Sequence, residues 1–113
     1  MALSKIFRIK KNDFAKIFSQ GETVRNSFFF IQWAKTTLGL SRFAVTVTKS
    51  VSAKATVRNK IRRRVYAVIR KNIPKIKTGI DIIILARPRV KDQNFPQLES
   101  SLTEVLEKEV ETL

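Results

Sequence analysis

The 113-residue sequence predicts one α+β domain over residues 1–113, and three patterns support that prediction. The stretch "ETVRNSFFFIQWAK" is rich in aromatic and β-branched residues, and "RFAVTVTK" alternates apolar and polar residues, both of which are typical of β-strands. Apolar residues recur every three or four residues, as on one face of a helix, from Lys54 to Asn72 and again after Asn94. The apolar run "IDIIILA" lies between the two helical segments. With a short helix at the start, this order indicates helices packed on one sheet.

The stretch "KKNDFAKIFSQG" predicts that short N-terminal helix. Asn12 can cap it, Asp13 lies at its positive end, and Gly21 can end it. One face of the helix carries three apolar side chains at helical spacing, which are Phe14, Ile17 and Phe18. Packing in the core is the simplest interpretation of that face.

The next stretch, "ETVRNSFFFIQWAK", predicts one strand, or two strands with a break at Asn26 and Ser27. Alternation divides its side chains into one face with Phe29, Ile31 and Trp33 and another with Phe28, Phe30 and Gln32. Because one face is enough to form a core, the second face is either covered or a binding surface.

A turn at Gly39 leads to "RFAVTVTK", a half-buried strand with one apolar and one polar face. If this strand forms a hairpin with the preceding one, its polar face extends the face of Phe30 and Gln32. A basic helix then leads to "IDIIILA", a strand buried on both faces that Pro88 ends. The helix between these two strands predicts a crossover unit.

The sequence from Asn94 onward predicts an amphipathic C-terminal helix with Pro96 in its first turn. Its apolar positions are Leu98, Leu102, Val105, Leu106, Val110 and Leu113. Six of the nine acidic residues lie in the last 22 residues. They either offset the charge of a basic body in part or form a solvated helix face.

The overall charge narrows the class of partner. The chain carries 23 Lys and Arg residues against nine Asp and Glu, a net charge of +14. Such a balance points to a polyanion, which can be RNA, DNA or an anionic membrane surface.

The stretch from Lys54 to Asn72 concentrates this charge, with eight Lys or Arg residues and no acid. A solvated surface helix usually mixes both signs, because like charges four residues apart weaken it. A membrane-surface helix favours a bulky apolar face, whereas the stripe here is narrow and rich in Val and Ile. A nucleic-acid-binding helix explains the pattern best, because phosphates supply the missing negative charge.

Aromatic side chains bear on the kind of nucleic acid. Duplex DNA is usually read by a helix in the major groove. Here Phe14, Phe18, Phe28 and Phe30 can offer stacking surfaces beside basic groups. That combination favours single-stranded nucleic acid, often RNA.

The residue types also exclude several functions. The chain contains no Cys and no His, so cysteine-based zinc sites, disulfides and His-dependent triads are excluded. No carboxylates are paired at metal-ligand spacing, and we expect no hydrolysis by the polypeptide alone. No apolar run approaches the roughly 18 residues of a membrane span. We therefore expect a cytoplasmic protein without a membrane partner.

The segment "RNKIRRR", Arg58 to Arg64, resembles the R-N-x-x-K/R-R signature of the protein subunits of bacterial ribonuclease P. "KKNDFAKIFSQG", "AVTVTK" and "DIIILARP" follow the order and spacing of that family over nearly the whole chain. The resemblance implies an αβββαβα fold with a left-handed βαβ crossover, shared with domain IV of elongation factor G. It also implies that a large catalytic RNA, using magnesium, removes the 5′ leader from precursor tRNA while the protein binds both RNAs.

The resemblance implies two groups of site residues. The RNA-binding group is Arg58, Asn59, Lys60, Arg62 and Arg63, with Lys54 before the signature and Lys49 at the end of the third strand. The group that holds the single-stranded leader in a cleft is Phe14, Phe18, Phe30 and Gln32. For Phe14 and Phe18 this replaces the core interpretation. The departures from the family pattern are Tyr66 and Ser50, where basic residues are frequent, and Ala53, where Gly is frequent.

The alternative is a stand-alone module that binds single-stranded RNA or acts as an RNA chaperone. It shares the basic helix and the aromatic surface, but it needs no single structured RNA as its partner. Sequencing the RNA bound to the chain in its own cells distinguishes the two functions.

Overall fold

The computed structural model describes residues 9, 13, 14, 17, 21–36, 39, 41–72 and 79–107. Within these residues the strands are β1 (Glu22–Arg25), β2 (Phe29–Lys35), β3 (Arg42–Thr46) and β4 (Ile80–Ala86). The helices are α1 (Ala55–Asn72), a 3₁₀-helix (Pro88–Asp92) and α2 (Phe95–Val105). This order of elements confirms the α+β class.

The strands form one mixed sheet in the order β1-β2-β4-β3. Strand β4 runs antiparallel to β2 and parallel to β3. The possible hairpin between β2 and β3 is therefore wrong, because β4 lies between them. The parallel pairing of β3 and β4 confirms that α1 belongs to a crossover unit, since parallel neighbours require a long connection.

The break at Asn26 and Ser27 is a tight turn between β1 and β2. The side-chain oxygen of Asn26 accepts hydrogen bonds from the backbone N–H groups of Phe28 and Phe29, each at 2.8 Å. The Asn26 N–H donates to the Phe29 carbonyl at 2.9 Å. Asn is favoured in such turns because its side chain bonds backbone groups two residues on. The turn fixes the register in which Arg25 pairs with Phe30.

One face of the sheet packs against α1 and α2 to form the main core. Phe29, Ile31 and Trp33 are at most 5% exposed there, as the alternation in β2 predicts. Tyr66 of α1 is 9% exposed and belongs to the same core. Because α1 contacts α2 as well as the sheet, its buried stripe is wider than the apolar pattern indicates. The buried residues of α1 are Ile61, Val65, Tyr66, Val68, Ile69 and Asn72.

The opposite face of the sheet is covered over part of its area. Ile17 is 1% exposed and packs in a second cluster with Ala34 and Ile83. Phe14 is half-buried against this cluster. Phe14 and Ile17 have helical backbone, as predicted for the N-terminal helix, and Phe18 lies outside the described residues. The interpretation that this helix face packs in a core therefore holds for Ile17, which is buried, whereas Phe14 is only half-buried.

A buried ion pair joins β3 to β4 beneath this cover. Arg42 donates from Nε and Nη2 to the two carboxylate oxygens of Asp81, at 2.9 and 2.6 Å. Both side chains are 7% exposed, and Asp13 lies 3.0 Å from the same guanidinium. The hydrogen bond to Asp81 raises the pKa of Arg42, so the guanidinium stays charged. Removal of one partner from such a pair costs about 3–5 kcal/mol.

Gly21 lies where the N-terminal helix meets β2. Its N–H donates to the Ile17 carbonyl at 2.8 Å. A Cβ atom at this position would overlap the Ile17 carbonyl oxygen and lie 2.9 Å from the Trp33 carbonyl oxygen. Both are backbone atoms, so neither can rotate away. The close approach explains why a glycine stands at the predicted helix end.

Helix α2 begins with a capping box. The Asn94 side chain accepts a hydrogen bond from Gln97 N, and the Gln97 side chain accepts one from Asn94 N, each at 3.0 Å. Leu98, Leu102 and Val105 are buried, as the sequence pattern predicts. The last predicted apolar positions, Val110 and Leu113, lie outside the described residues.

Candidate nucleic-acid interface

The predicted RNA-binding residues of α1 remain accessible to different degrees. Asn59, Lys60 and Arg63 are exposed, whereas Arg58 and Arg62 are half-buried. The first turn of the helix contains no acidic residue, so the positive end of the helix dipole adds to the side-chain charge. The N-terminal half of α1 is therefore a strongly positive surface.

Arg58 differs from the other predicted residues because it binds the backbone of its own chain. Its Nη1 donates to the carbonyl oxygens of Ser52 and Ala53, both at 2.9 Å. Its backbone N–H donates to the Lys54 carbonyl at 3.1 Å. Arg58 thus holds the loop between β3 and α1 in place, a role that the sequence does not reveal.

Arg62 is oriented by a neighbour on the same helix. Its Nη1 donates to the side-chain oxygen of Asn59 at 2.7 Å. A guanidinium has five N–H donors, so the remaining donors of Arg62 can still bind phosphate oxygens.

The loop between β3 and α1 carries the other two predicted basic residues. Lys49 is exposed in the turn after β3, and Lys54 is exposed at the start of α1. Thr48 and Ser50 flank Lys49 in the chain, and their hydroxyl oxygens lie 2.6 Å apart. Val51 is 1% exposed and anchors the loop in the main core. The loop therefore presents two ammonium groups and two hydroxyls from a fixed backbone.

An open cleft of about 350 Å³ lies beside this loop, on the sheet face opposite the main core. One row of paired residues crosses the sheet here: Arg25 pairs with Phe30, Phe30 with Leu85, and Leu85 with Thr46. The cleft is lined by Arg25, Phe30, Thr48, Ser50, Leu85, Ala86, Arg87 and Pro88. These lining residues include two arginines, two hydroxyls and an aromatic ring, and none of them is acidic.

The structure brings three of the predicted leader-cleft residues to one face of the sheet. Phe30 lines the cleft itself. Gln32 lies one row away, paired with Ile83, and is half-buried. Phe14 packs against the cluster that contains Ile83. The fourth predicted residue, Phe18, lies outside the described residues.

Several lining residues of the cleft do not follow from local sequence patterns. Arg25 could be found from the register of the Asn26 turn, which sets it opposite Phe30. Arg87 and Ser50 reach the cleft only because β4 lies beside β3 in the sheet. That arrangement depends on long-range pairing, which short-range periodicity does not encode.

An acidic residue contacts α1 at its other end. Lys71 near the C-terminus of α1 pairs with Glu99 of α2 at 2.9 Å, and both are partly exposed.

Across residues 9–107, where described, no three Asp, Glu, His or Cys side chains are grouped to hold a metal ion. No helix in that same part of the chain is long and apolar enough to cross a membrane.

This mixed α+β domain carries a basic helix that contains no acidic residue and a cleft lined by arginines and a phenylalanine. These are features of a nucleic-acid-binding protein. The sequence matches the family model described as Ribonuclease P over residues 3–110. A ribonuclease P protein component from Thermoanaerobacter sp. (strain X514) is 35% identical over 105 residues, covering 92% of this chain and 90% of that protein. The chain belongs to the bacterial ribonuclease P protein component family.

Solved structures agree with this assignment. The RNase P protein from Staphylococcus aureus superposes with a TM-score of 0.84 at 33% identity, covering 92% of this chain and 96% of that one. The RNase P protein from Thermotoga maritima gives a TM-score of 0.81 at 28% identity, covering 89% and 96%. The chain is thus a protein subunit of ribonuclease P, a component of the tRNA-processing holoenzyme with the RNase P RNA as its partner.

Proposed function

We propose that this subunit holds the single-stranded 5′ leader of precursor tRNA in the cleft and binds the catalytic RNA through α1 and the loop before it. The observation that carries the proposal is the cross-strand row of Arg25, Phe30 and Leu85 on the floor of the open cleft. An aromatic ring in a cleft that is also lined by arginines suits single-stranded RNA, because bases stack on the ring while the cations bind phosphates.

The basic surface of α1 supports the contact with the catalytic RNA. Lys60 and Arg63 are exposed, and Arg62 is oriented by Asn59. Lys49 and Lys54 extend the positive surface along the loop towards the cleft. Phosphate contacts by such groups release counterions, which drives binding at low salt. One continuous surface can therefore contact both RNAs.

In this proposal the catalytic RNA performs the cleavage and uses magnesium to do so. The chain has no His and no Cys, so the residues most often used for acid–base and nucleophilic catalysis are missing. The protein contributes by holding the substrate in position, which lowers the entropic barrier of the reaction.

The proposal also contains the finer expectations from the sequence and from the family resemblance. These are a left-handed β3–α1–β4 crossover, a likeness to domain IV of elongation factor G, a cytoplasmic location and a single domain. The first two rest on the family resemblance, and the other two are expectations from the sequence.

Reconstitution tests the proposal directly. Precursor tRNA labelled at its 5′ end is incubated with magnesium and with the RNase P RNA, the purified chain, or both. We expect leader release by the combined subunits, none by the chain alone, and tighter binding of precursor than of mature tRNA by the holoenzyme. Cleavage by the nuclease-free chain alone contradicts the assignment of chemistry to the RNA. Equal affinity of the chain for unrelated RNAs would favour the stand-alone module.

A further inference from the structure

A second groove, of about 550 Å³, lies next to the cleft on the other side of the segment that follows β4. Arg87 and Pro88 line the cleft, whereas Arg89 lines the groove. We propose that this groove binds one nucleotide of single-stranded RNA, and that this nucleotide continues the strand held in the cleft. The inference rests on the proposed leader-binding function and extends the path of the leader beyond the cleft.

The segment between the two sites is fixed to the turn of Asn26. The Arg87 N–H donates to the Phe28 carbonyl at 2.8 Å, and Arg87 Nη1 donates to the Asn26 carbonyl at 2.7 Å. The Val90 N–H then donates to the Arg87 carbonyl at 2.9 Å, and Val90 is buried. Arg87 and Arg89 are thereby held on either side of Pro88, so one RNA strand can pass from cleft to groove over this residue.

Arg89 and Phe28 form the aromatic side of the groove. The guanidinium carbon of Arg89 lies 5.6 Å from the centre of the Phe28 ring. Arg89 is exposed and Phe28 is half-buried, so the ring supports one side of the guanidinium while the other side is open. Bases that are not paired stack on guanidinium planes as they do on aromatic rings.

Gln93 supplies an acceptor for the edge of a base. Its Nε2 donates to the Ser101 hydroxyl oxygen at 2.8 Å, and that hydroxyl donates its only hydrogen to the Gln97 carbonyl at 3.0 Å. With the hydroxyl hydrogen directed at the Gln97 carbonyl, Nε2 is the amide atom that faces Ser101, and Oε1 is the atom left without a partner in the described part of the chain. The Gln93 Oε1 atom is buried and has no hydrogen-bond partner among the described residues, so a base in the groove reaches it only when the Gln93 side chain rotates towards the groove.

The chemistry around this oxygen favours a nucleobase over a phosphate. Asp92 also lines the groove, and its carboxylate repels a phosphate group but accepts hydrogen bonds from base N–H groups. Every base carries an N–H donor on its pairing edge, so Gln93 and Asp92 can serve different bases. The phosphates then lie near the positive groups of Arg87 and Arg89, and the base lies near the negative group of Asp92.

A length series of leaders tests the inference. Holoenzyme affinity is measured for precursor tRNAs whose leaders grow by one nucleotide at a time. For the parent protein we expect one gain when the leader reaches the cleft and a second gain when it reaches the groove. Arg89→Ala should lose the second gain, about fivefold or more, because a stacked base contributes at least that much. Gln93→Met should lose about two- to tenfold of the same gain.

Two matched variants make the outcome specific. Lys91→Ala removes the same charge from an exposed residue of the same 3₁₀-helix that does not line the groove, and it should keep both gains. Phe30→Leu should lose the first gain. If Phe30→Leu loses its gain and Arg89→Ala matches the parent at every length, the groove binds no leader nucleotide, although the proposed function stands. If Phe30→Leu loses nothing, the cleft assignment itself fails.

A further measurement separates the two possible sources of the nucleotide. The affinity of each variant for the catalytic RNA alone is determined without substrate. We expect Arg89→Ala and Lys91→Ala to bind it equally well. A specific loss for Arg89→Ala, with no dependence on leader length, overturns the inference because it assigns the groove to the catalytic RNA.

Discussion

Arg62 donates a hydrogen bond from Nη1 to the side-chain oxygen of Asn59 at 2.7 Å, one turn back along α1. The two residues belong to the motif "RNKIRRR", and the bond gives them different tasks. Asn59 orients the guanidinium, and Arg62 presents its other donors to solvent. Because Arg forms planar bidentate contacts with phosphate, its orientation affects how well it binds.

A double-mutant cycle tests this division of tasks. We expect Arg62→Ala to lower the log–log salt slope of binding to the catalytic RNA by roughly 0.7–0.9, the value of one phosphate contact. Asn59→Ala should weaken binding less, and the double variant should match Arg62→Ala alone. Additive losses would instead mean that Asn59 contacts the RNA independently.

Arg58 and Arg63 are predicted to behave differently although both belong to the motif. Arg58 bonds to the Ser52 and Ala53 carbonyls, whereas Arg63 is exposed. We expect Arg63→Ala to reduce the salt slope and leave the melting temperature unchanged. Arg58→Ala should also lower the unfolding free energy, by about 1–3 kcal/mol for two bonds from a charged donor.

Salt-dependent binding to the catalytic RNA and thermal unfolding, measured on both variants, separate the loss of phosphate contacts from the loss of stability. Arg58→Lys is a useful third variant, because it keeps the charge but replaces the planar guanidinium, whose Nη1 makes both loop bonds, by a compact ammonium group. If Arg58→Ala unfolds at the parent temperature and loses only phosphate contacts, the bonds to the loop carry no stability.

Local sequence patterns predict most of the fold. The alternation in β2 places Phe29, Ile31 and Trp33 in the core, and the apolar run predicts β4. The position of β4 between β2 and β3 does not follow from these patterns. Strand order depends on how elements far apart in sequence pack, and alternation constrains only the face that each residue occupies.

The candidate site shows the same limit. The motif and the second face of β2 locate the basic helix and Phe30, because both depend on short segments. The contacts of Arg58 with the loop depend on where the chain enters α1. Tyr66 is buried in the main core, which includes residues of the sheet and of α2, and no pattern within α1 reveals that packing.

Gly21 and Gly39 form a matched pair for testing how the N-terminal helix meets the sheet. A Cβ at Gly21 would meet the carbonyl oxygens of Ile17 and Trp33, whereas a Cβ at Gly39 would meet nothing within 4 Å. We expect Gly21→Ala to lower the unfolding free energy by about 1–3 kcal/mol, as overpacking does. Gly39→Ala should be neutral or stabilise by up to about 1 kcal/mol. Equal effects in denaturant unfolding would contradict this account.

The leader cleft offers a contrast between ring chemistry and core packing. Phe30 lines the cleft and is half-buried, whereas Phe29, its neighbour in β2, is fully buried in the main core. Both are phenylalanines on one strand, so Phe29→Leu is a control for Phe30→Leu. Phe14, half-buried on the same sheet face as Phe30, provides a second test position.

We expect Phe30→Leu and Phe14→Leu to weaken holoenzyme binding of precursor tRNA, with little change for mature tRNA and a nearly normal melting temperature. Leucine keeps most of the apolar volume but removes the ring, and base stacking contributes roughly 1–3 kcal/mol per base. Phe29→Leu should do the reverse, because it changes packing in the core and touches no RNA. Both affinities and the melting curve are measured on all three variants. An equal loss for precursor and mature tRNA in Phe30→Leu would contradict the leader assignment, since only the precursor carries a leader.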